Sequence, residues 1–78
     1  MERTLMRIER KLKAFFAERP IVDGVLVIDK EDIDGKIVVS SLLSLGMVSN
    51  ITFIKVDPDA PEAQTPAVSE GYNLRVTF

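Results

Sequence analysis

The feature that most constrains the fold is an apolar stripe near the N-terminus. The stripe consists of side chains spaced alternately by four and three residues: Met1, Leu5, Ile8, Leu12 and Phe15. At 100° per residue these side chains share one arc of a helix, and basic residues occupy the opposite arc. The helix is predicted over about residues 2–18, because the residue before Pro20 is disfavoured in the α region. A stripe of this kind must be covered by another layer of the protein.

The chain is long enough for one domain, 1–78, and too short for two. It contains no cysteine, which excludes disulfides and thiolate metal sites, and no histidine, the commonest metal ligand and general base. We therefore expect no metal and no other cofactor. Natural domains of this size often gain stability from a partner subunit, and a composition that is 46% hydrophobic permits this.

The segments after the helix predict an antiparallel sheet. Strands are expected over four ranges: about 21–29, 36–41, 50–57 and 70–78. The last range alternates cleanly, with Tyr72, Leu74 and Val76 on one face. Three prolines between residues 58 and 69 exclude regular structure there, so this range is predicted to be a surface loop. The predicted class is α+β, with an N-terminal amphipathic helix packed on an antiparallel sheet of three to four strands.

Residues 40–47 are ambiguous between strand, turn and short helix. The β-branched run before them favours a strand that continues to about Ser41. Alternatively, Ser40 or Ser41 caps a short helical turn that ends at Gly46. A third interpretation extends the strand to about Leu43 and places a turn at residues 45–47.

The acidic segment 29–35 does not match a calcium loop. When an EF-hand loop is counted back from Gly35, its first ligand position falls on Lys30 and its twelfth on Ser41. A lysine and a serine there replace the required acids, so no metal ligands are expected. The chain also lacks a phosphate-binding glycine loop and a dinucleotide fingerprint. We expect no catalytic residues and no enzymatic activity from the chain by itself.

Charge is unevenly distributed along the chain. Residues 1–20 carry six basic and three acidic side chains, for a net charge of +3, and residues 21–78 carry four basic and nine acidic ones, for −5. The basic helix face could follow a phosphate backbone, so nucleic-acid binding is an alternative function. We expect no nucleic-acid partner, because the whole chain is negative and no aromatic residue is interleaved for base stacking.

Location is predicted from the absence of membrane and export signals. No apolar run approaches the roughly 20 residues that span a bilayer, and charges interrupt the N-terminal segment. No membrane partner is expected, and a cytoplasmic location is the default for a small chain without cysteine.

The remaining feature is surplus apolar surface on the predicted sheet. One helix covers one face, and apolar side chains are left for an interface: Val25, Val27, Ile54, Val56 and Tyr72. Exposed apolar patches on small proteins usually mark interaction sites. The predicted function is therefore a non-enzymatic interaction or assembly module, with a homodimer or another protein as partner and the C-terminal strand as a plausible sheet edge. A small enzyme whose site forms between subunits is a further alternative.

Overall fold

The computed structural model describes the backbone of residues 4–78 and the side chains from Met6 onward. Within this range the elements follow in the order α1 (Thr4–Glu18), β1 (Val25–Ile28), α2 (Ile33–Ser44), β2 (Asn50–Lys55) and β3 (Tyr72–Thr77). Helices combined with an antiparallel sheet confirm the α+β class. Three parts of the helix prediction lie outside the described part of the chain: the start near residue 2, Met1 and the side chain of Leu5.

The described strands form one sheet in the order β1-β3-β2. The last strand, β3, lies in the centre and is antiparallel to both neighbours, with Val76 opposite Leu26 on one side and Ile51 on the other. The expectation that the C-terminal strand forms an edge is therefore wrong. Since β1 and β2 both oppose β3, they run parallel to each other, and α2 connects them across the sheet as in a split β-α-β unit.

The predicted strand at 36–41 is wrong, because these residues belong to α2. The helix begins where the Asp32 side chain accepts a hydrogen bond from the Gly35 backbone N–H at 2.9 Å, which satisfies one of the free donors of the first turn. It ends before Gly46, whose φ of +73° is the left-handed conformation common after helices. The helical alternative for residues 40–47 was correct about this end but placed the cap too late.

A tight hairpin turn precedes β1 and explains its late start. Asp23 and Gly24 have φ values of +54° and +77°, and Val22 and Val25 exchange backbone hydrogen bonds of 2.9 and 3.0 Å. Positive φ at both central residues defines the turn that matches the twist of a hairpin. The strand predicted over 21–29 is therefore limited to Val25–Ile28. The other two predicted strands are shortened by a few residues, and 58–69 is irregular as expected.

The core lies between one face of the sheet and the helices. Its most deeply buried apolar side chains come from β1, β3 and α2: Leu26, Ile28, Leu74, Val76, Val39 and Leu42. From α1, Phe15 joins the core and Phe16 packs against it, with the Phe16 ring 6.3 Å from that of Phe78. The N-terminal helix thus packs on the sheet through its C-terminal end, and Ile8 is 49% exposed.

Candidate protein-binding surfaces

The outer face of the sheet carries four of the five predicted interface residues. Val25 and Val27 lie on β1, and Ile54 and Val56 share the same face at the other side of the sheet. Val27 is 61% exposed, and Ile54 and Val56 are also exposed. The fifth residue, Tyr72, is on the opposite face and is buried, with its ring 6.4 Å from that of Phe53. Tyr72 therefore does not belong to this surface.

The outer face is not a continuous apolar patch, because the central strand crosses it with polar side chains. Asn73, Arg75 and Thr77 of β3 point to this face, with Arg75 opposite Val27 and Asn73 opposite Ile54. Neighbouring strands lie about 4.8 Å apart, so the two apolar strips are separated by about 10 Å. The outer face is thus less apolar than the sequence pattern indicated.

A second apolar surface lies between α1 and α2, and we call it the helical groove. It is a cleft of about 220 Å³ between the two helices. Its walls are formed by Ile8, Lys11 and Leu12 from α1, by Ile37, Val38, Ser41 and Leu42 from α2, and by Leu45 directly after α2. Ile37 and Leu45 are 52% and 72% exposed. Sequence reasoning missed this surface because it did not predict α2.

An ion pair joins the end of α1 to the start of α2. Arg19 follows α1 and donates through Nε and Nη2 to the two carboxylate oxygens of Asp32, at 2.5 and 2.8 Å. The guanidinium also lies over the ring of Phe15, 4.3 Å from its centroid. Since Asp32 caps α2, a single carboxylate joins the end of one helix to the start of the next.

The same geometry perturbs the ionisation of Asp32. The hydrogen bond from Arg19 lowers the pKa of Asp32 below its ordinary value because it stabilises the charged form. Partial burial opposes this shift, and the hydrogen bond from the Gly35 N–H adds to it. The carboxylate is therefore a structural anion at neutral pH.

Few of the described polar side chains lie close enough together to form a shared binding site. No group of three or more acidic side chains within the described residues is arranged to hold a metal ion. In the acidic segment, Asp32 is engaged by Arg19, while Lys30 Nζ pairs with Asp57 Oδ1 at 2.6 Å. Lys36 is buried, and its Nζ donates to the Ser69 carbonyl oxygen at 2.7 Å. These contacts tie segments of the fold together.

Comparisons with protein-family models, curated proteins and solved structures give no match for this chain. Neither of the described helices is long and apolar enough to cross a membrane.

Proposed function

We propose that this chain is a non-enzymatic protein-interaction module that associates with a second copy of itself through the helical groove. The observation that carries the proposal is a gradient of burial along one face of α1. Phe15 is 7% exposed, Leu12 is half-buried and Ile8 is 49% exposed, although all three belong to one stripe. The fold covers the C-terminal end of this stripe and leaves Ile8 largely exposed, which is typical of a helix face that binds a partner.

The exposed area supports a partner of substantial size. A compact monomer of this mass exposes about 4,700 Å² by the usual scaling of surface with mass, whereas this 8.7 kDa chain exposes 5739 Å². The excess of about 1,000 Å² is comparable to the roughly 800 Å² that each partner buries in a standard interface. The radius of gyration is 13.2 Å, against about 11.5 Å expected for a compact domain of this length.

Charge complementarity favours a second copy as the partner. The open half of α1 carries Arg7 and Lys11, while Glu31 and Asp34 stand beside the start of α2. In a two-fold dimer, α1 of each copy can lie across the helical groove of the other, so that one patch serves both partners. Contacts between the basic residues of one copy and the acidic residues of the other would then help to set the orientation.

The size of the cleft argues against a small-molecule ligand. Pockets for such ligands usually enclose about 300–1,000 Å³, and the helical groove encloses about 220 Å³. An amphipathic helix, in contrast, needs only shallow apolar contact along a groove. A cytoplasmic location and the absence of nucleic-acid binding and catalysis are parts of the same proposal, and they rest on the composition of the chain.

The test measures mass in solution with two matched glutamate variants. We expect the native chain to show twice its 8.7 kDa mass by light scattering at micromolar concentration. Ile37→Glu places a charge in the helical groove and should return the mass to that of one chain. Val27→Glu places the same charge on the outer sheet face, at a similarly exposed position, and should leave the dimer intact.

Two outcomes would contradict the proposal. A native chain that remains monomeric at about 1 mM, where even weak dimers form, would remove self-association. Dissociation by Val27→Glu but not by Ile37→Glu would move the interface to the outer face of the sheet. Circular dichroism of both variants controls for loss of fold.

A further inference from the structure

The outward edge of β2 offers backbone hydrogen-bonding groups to another strand. Val56 N donates to Gly71 O at 2.8 Å, so these two opposing residues form a hydrogen-bonded pair of the antiparallel ladder. By alternation, the backbone groups of Thr52 and Ile54 point towards β3, and those of Ile51, Phe53 and Lys55 point away from the sheet. Within the described residues, β2 has a strand on one side only.

The opposite edge of the sheet is largely closed. Val25 of β1 exchanges both backbone hydrogen bonds with Val22 of the preceding hairpin turn. Of the β1 residues whose backbone points outward, this leaves Val27, which gives too short a stretch for a strand to pair with. The two edges are therefore not equivalent, and β2 is the one open over most of its length.

A groove runs beside the open edge on the core side of the sheet, and we call it the edge groove. It encloses about 410 Å³. It is lined by Ile51 and Phe53 of β2, Leu43 with two serines of α2, and the segment 64–66 of the loop. All of its lining residues are uncharged. Side chains of a strand added to β2 would alternate between this groove and the outer face.

The loop wall of the edge groove is held in place by a buried lysine. Lys36 Nζ donates to Ser69 O at 2.7 Å, and Ser69 Oγ donates to Pro66 O at 2.7 Å. Lys36 and Ser69 are 4% and 2% exposed. An ammonium group is rarely buried without a specific partner. Here the hydrogen bond from Lys36 holds the loop in place, with Pro66 across the edge groove from α2. The groove is therefore preformed.

We infer that β2 and the edge groove bind an extended segment of another protein, which adds a strand to the sheet. The open backbone groups require an extended backbone, and the uncharged groove requires apolar side chains at every second position. Lys55 is the charged residue of β2. It is the last residue of the strand and lies on the same face as the edge groove, so it favours an acidic residue at that end of the ligand.

A second copy of β2 fits this site poorly. Lys55 lies on the same face of β2 as Ile51 and Phe53. If two β2 edges paired about a two-fold axis, each Lys55 would be directed towards the uncharged groove of its partner, at a desolvation cost. The inference is thus independent of self-association through the helical groove, and it is tested in the Ile37→Glu variant.

The experiment uses synthetic peptides and amide chemical shifts. The probes are four capped peptides with the six-residue length of β2, in which Thr alternates with Val, Leu, Ile or Phe before a final Glu, so that a strand parallel to β2 places the Glu beside Lys55. We expect at least one peptide to shift the amide resonances of Ile51, Phe53 and Lys55. Two N-methylated versions of the tightest-binding peptide distinguish strand addition from non-specific apolar binding. Methylation of the amides that face β2 should weaken binding about tenfold, and methylation of the alternate amides should not.

Protein variants test the groove independently of the strand edge. Leu43→Glu places a charge in the edge groove and should weaken peptide binding about tenfold. Leu45→Glu changes a more exposed residue of the helical groove and should leave peptide affinity unchanged. The inference is wrong if no peptide shifts these amides at about 1 mM, if both methylation patterns have the same effect, or if the amides shift with protein concentration alone.

Discussion

Removing the charge of Asp32 should weaken the whole helical layer, because this carboxylate joins the end of α1 to the start of α2. In Asp32→Asn the side-chain oxygen can still cap α2, since Asn and Asp are similar N-caps. The charge that faces Arg19 is lost. Hydrogen bonds to charged groups contribute about 1.5–3 kcal/mol, and the two side chains are 20% and 21% exposed, which screens part of this. We expect a loss of about 1–2 kcal/mol, or about 4–16 °C in Tm.

The pH dependence of this loss separates charge from shape. The folded pKa of Asp32 is lowered, mainly by the hydrogen bond from Arg19. Its contribution is therefore present above the unfolded value of about 3.9 and is lost as pH falls through the lower folded value. Urea denaturation of the native chain and of Asp32→Asn should differ most near neutral pH and should converge below about pH 4. Both proteins must be compared at one concentration, because self-association would add to stability.

The control for this prediction is Glu18→Gln. Glu18 also faces Arg19, at 3.5 Å, but its side chain is 77% exposed. An exposed pair contributes little, so this variant should change stability by less than about 0.5 kcal/mol. A constant gap between the native chain and Asp32→Asn from neutral pH to well below pH 4 would refute the role assigned to the Asp32 charge.

Two further predictions concern the core and the backbone. Leu42→Ala should lower the free energy of unfolding in urea by about 2–5 kcal/mol, because Leu42 is 3% exposed. Leu43→Ala, at an exposed position, should lower it by less than about 0.5 kcal/mol. Equal losses of stability would contradict the assigned helix face. Gly71→Ala should cost about 2–4 kcal/mol in thermal unfolding, because φ is +83° and the added Cβ would lie 2.6 Å from Ala60 Cβ. Gly46→Ala, at φ +73° with open space around it, should cost only about 1–2 kcal/mol, and a reversed order would contradict the close approach at Gly71.

The strands were predictable from sequence where alternation coincides with burial. In β3, Leu74 and Val76 alternate with more polar residues and are buried as predicted, because one face of the sheet is covered and the other is open. Sequence does not reveal strand order in the same way. The central position of β3 depends on pairing with two strands distant in sequence, and no local pattern in β3 encodes it.

The chain contains two Asp-Gly pairs after residue 20, and they behave differently. Asp23-Gly24 forms the hairpin turn expected of such a pair. Asp34-Gly35 lies inside the first turn of α2, where a Cβ on Gly35 would stand 2.5 Å from Asp32 Oδ2. The glycine is thus required by the cap and not by a turn. The signal that could have predicted this helix is Asp32. Aspartate is a preferred N-cap residue, because its carboxylate can accept a hydrogen bond from the backbone N–H three residues later.

The β-branched run that follows was misleading for a related reason. Ile37, Val38 and Val39 favour a strand by intrinsic propensity, but these preferences span only about 1 kcal/mol and yield to burial. In α2, Val39 and Leu42 lie on the face that covers the sheet, and Ile37 lies on the exposed side. Both faces of the helix are therefore apolar, which hides the helical period in the sequence. The helical groove was missed for this reason.

Both proposed surfaces follow from a mismatch between the two layers of the fold. Three strands about 4.8 Å apart give a platform about 14 Å wide, whereas two helices side by side, each about 10 Å across, need about 20 Å. On the described sheet there is room for α2 and for only the last turns of α1 to pack. The overhanging half of α1 can be covered by a partner helix, and the platform can be widened by a strand at β2. The two proposed partners, a second copy in the helical groove and an extended segment at the edge groove, would therefore supply the apolar cover and the backbone partner that this chain lacks within its described residues.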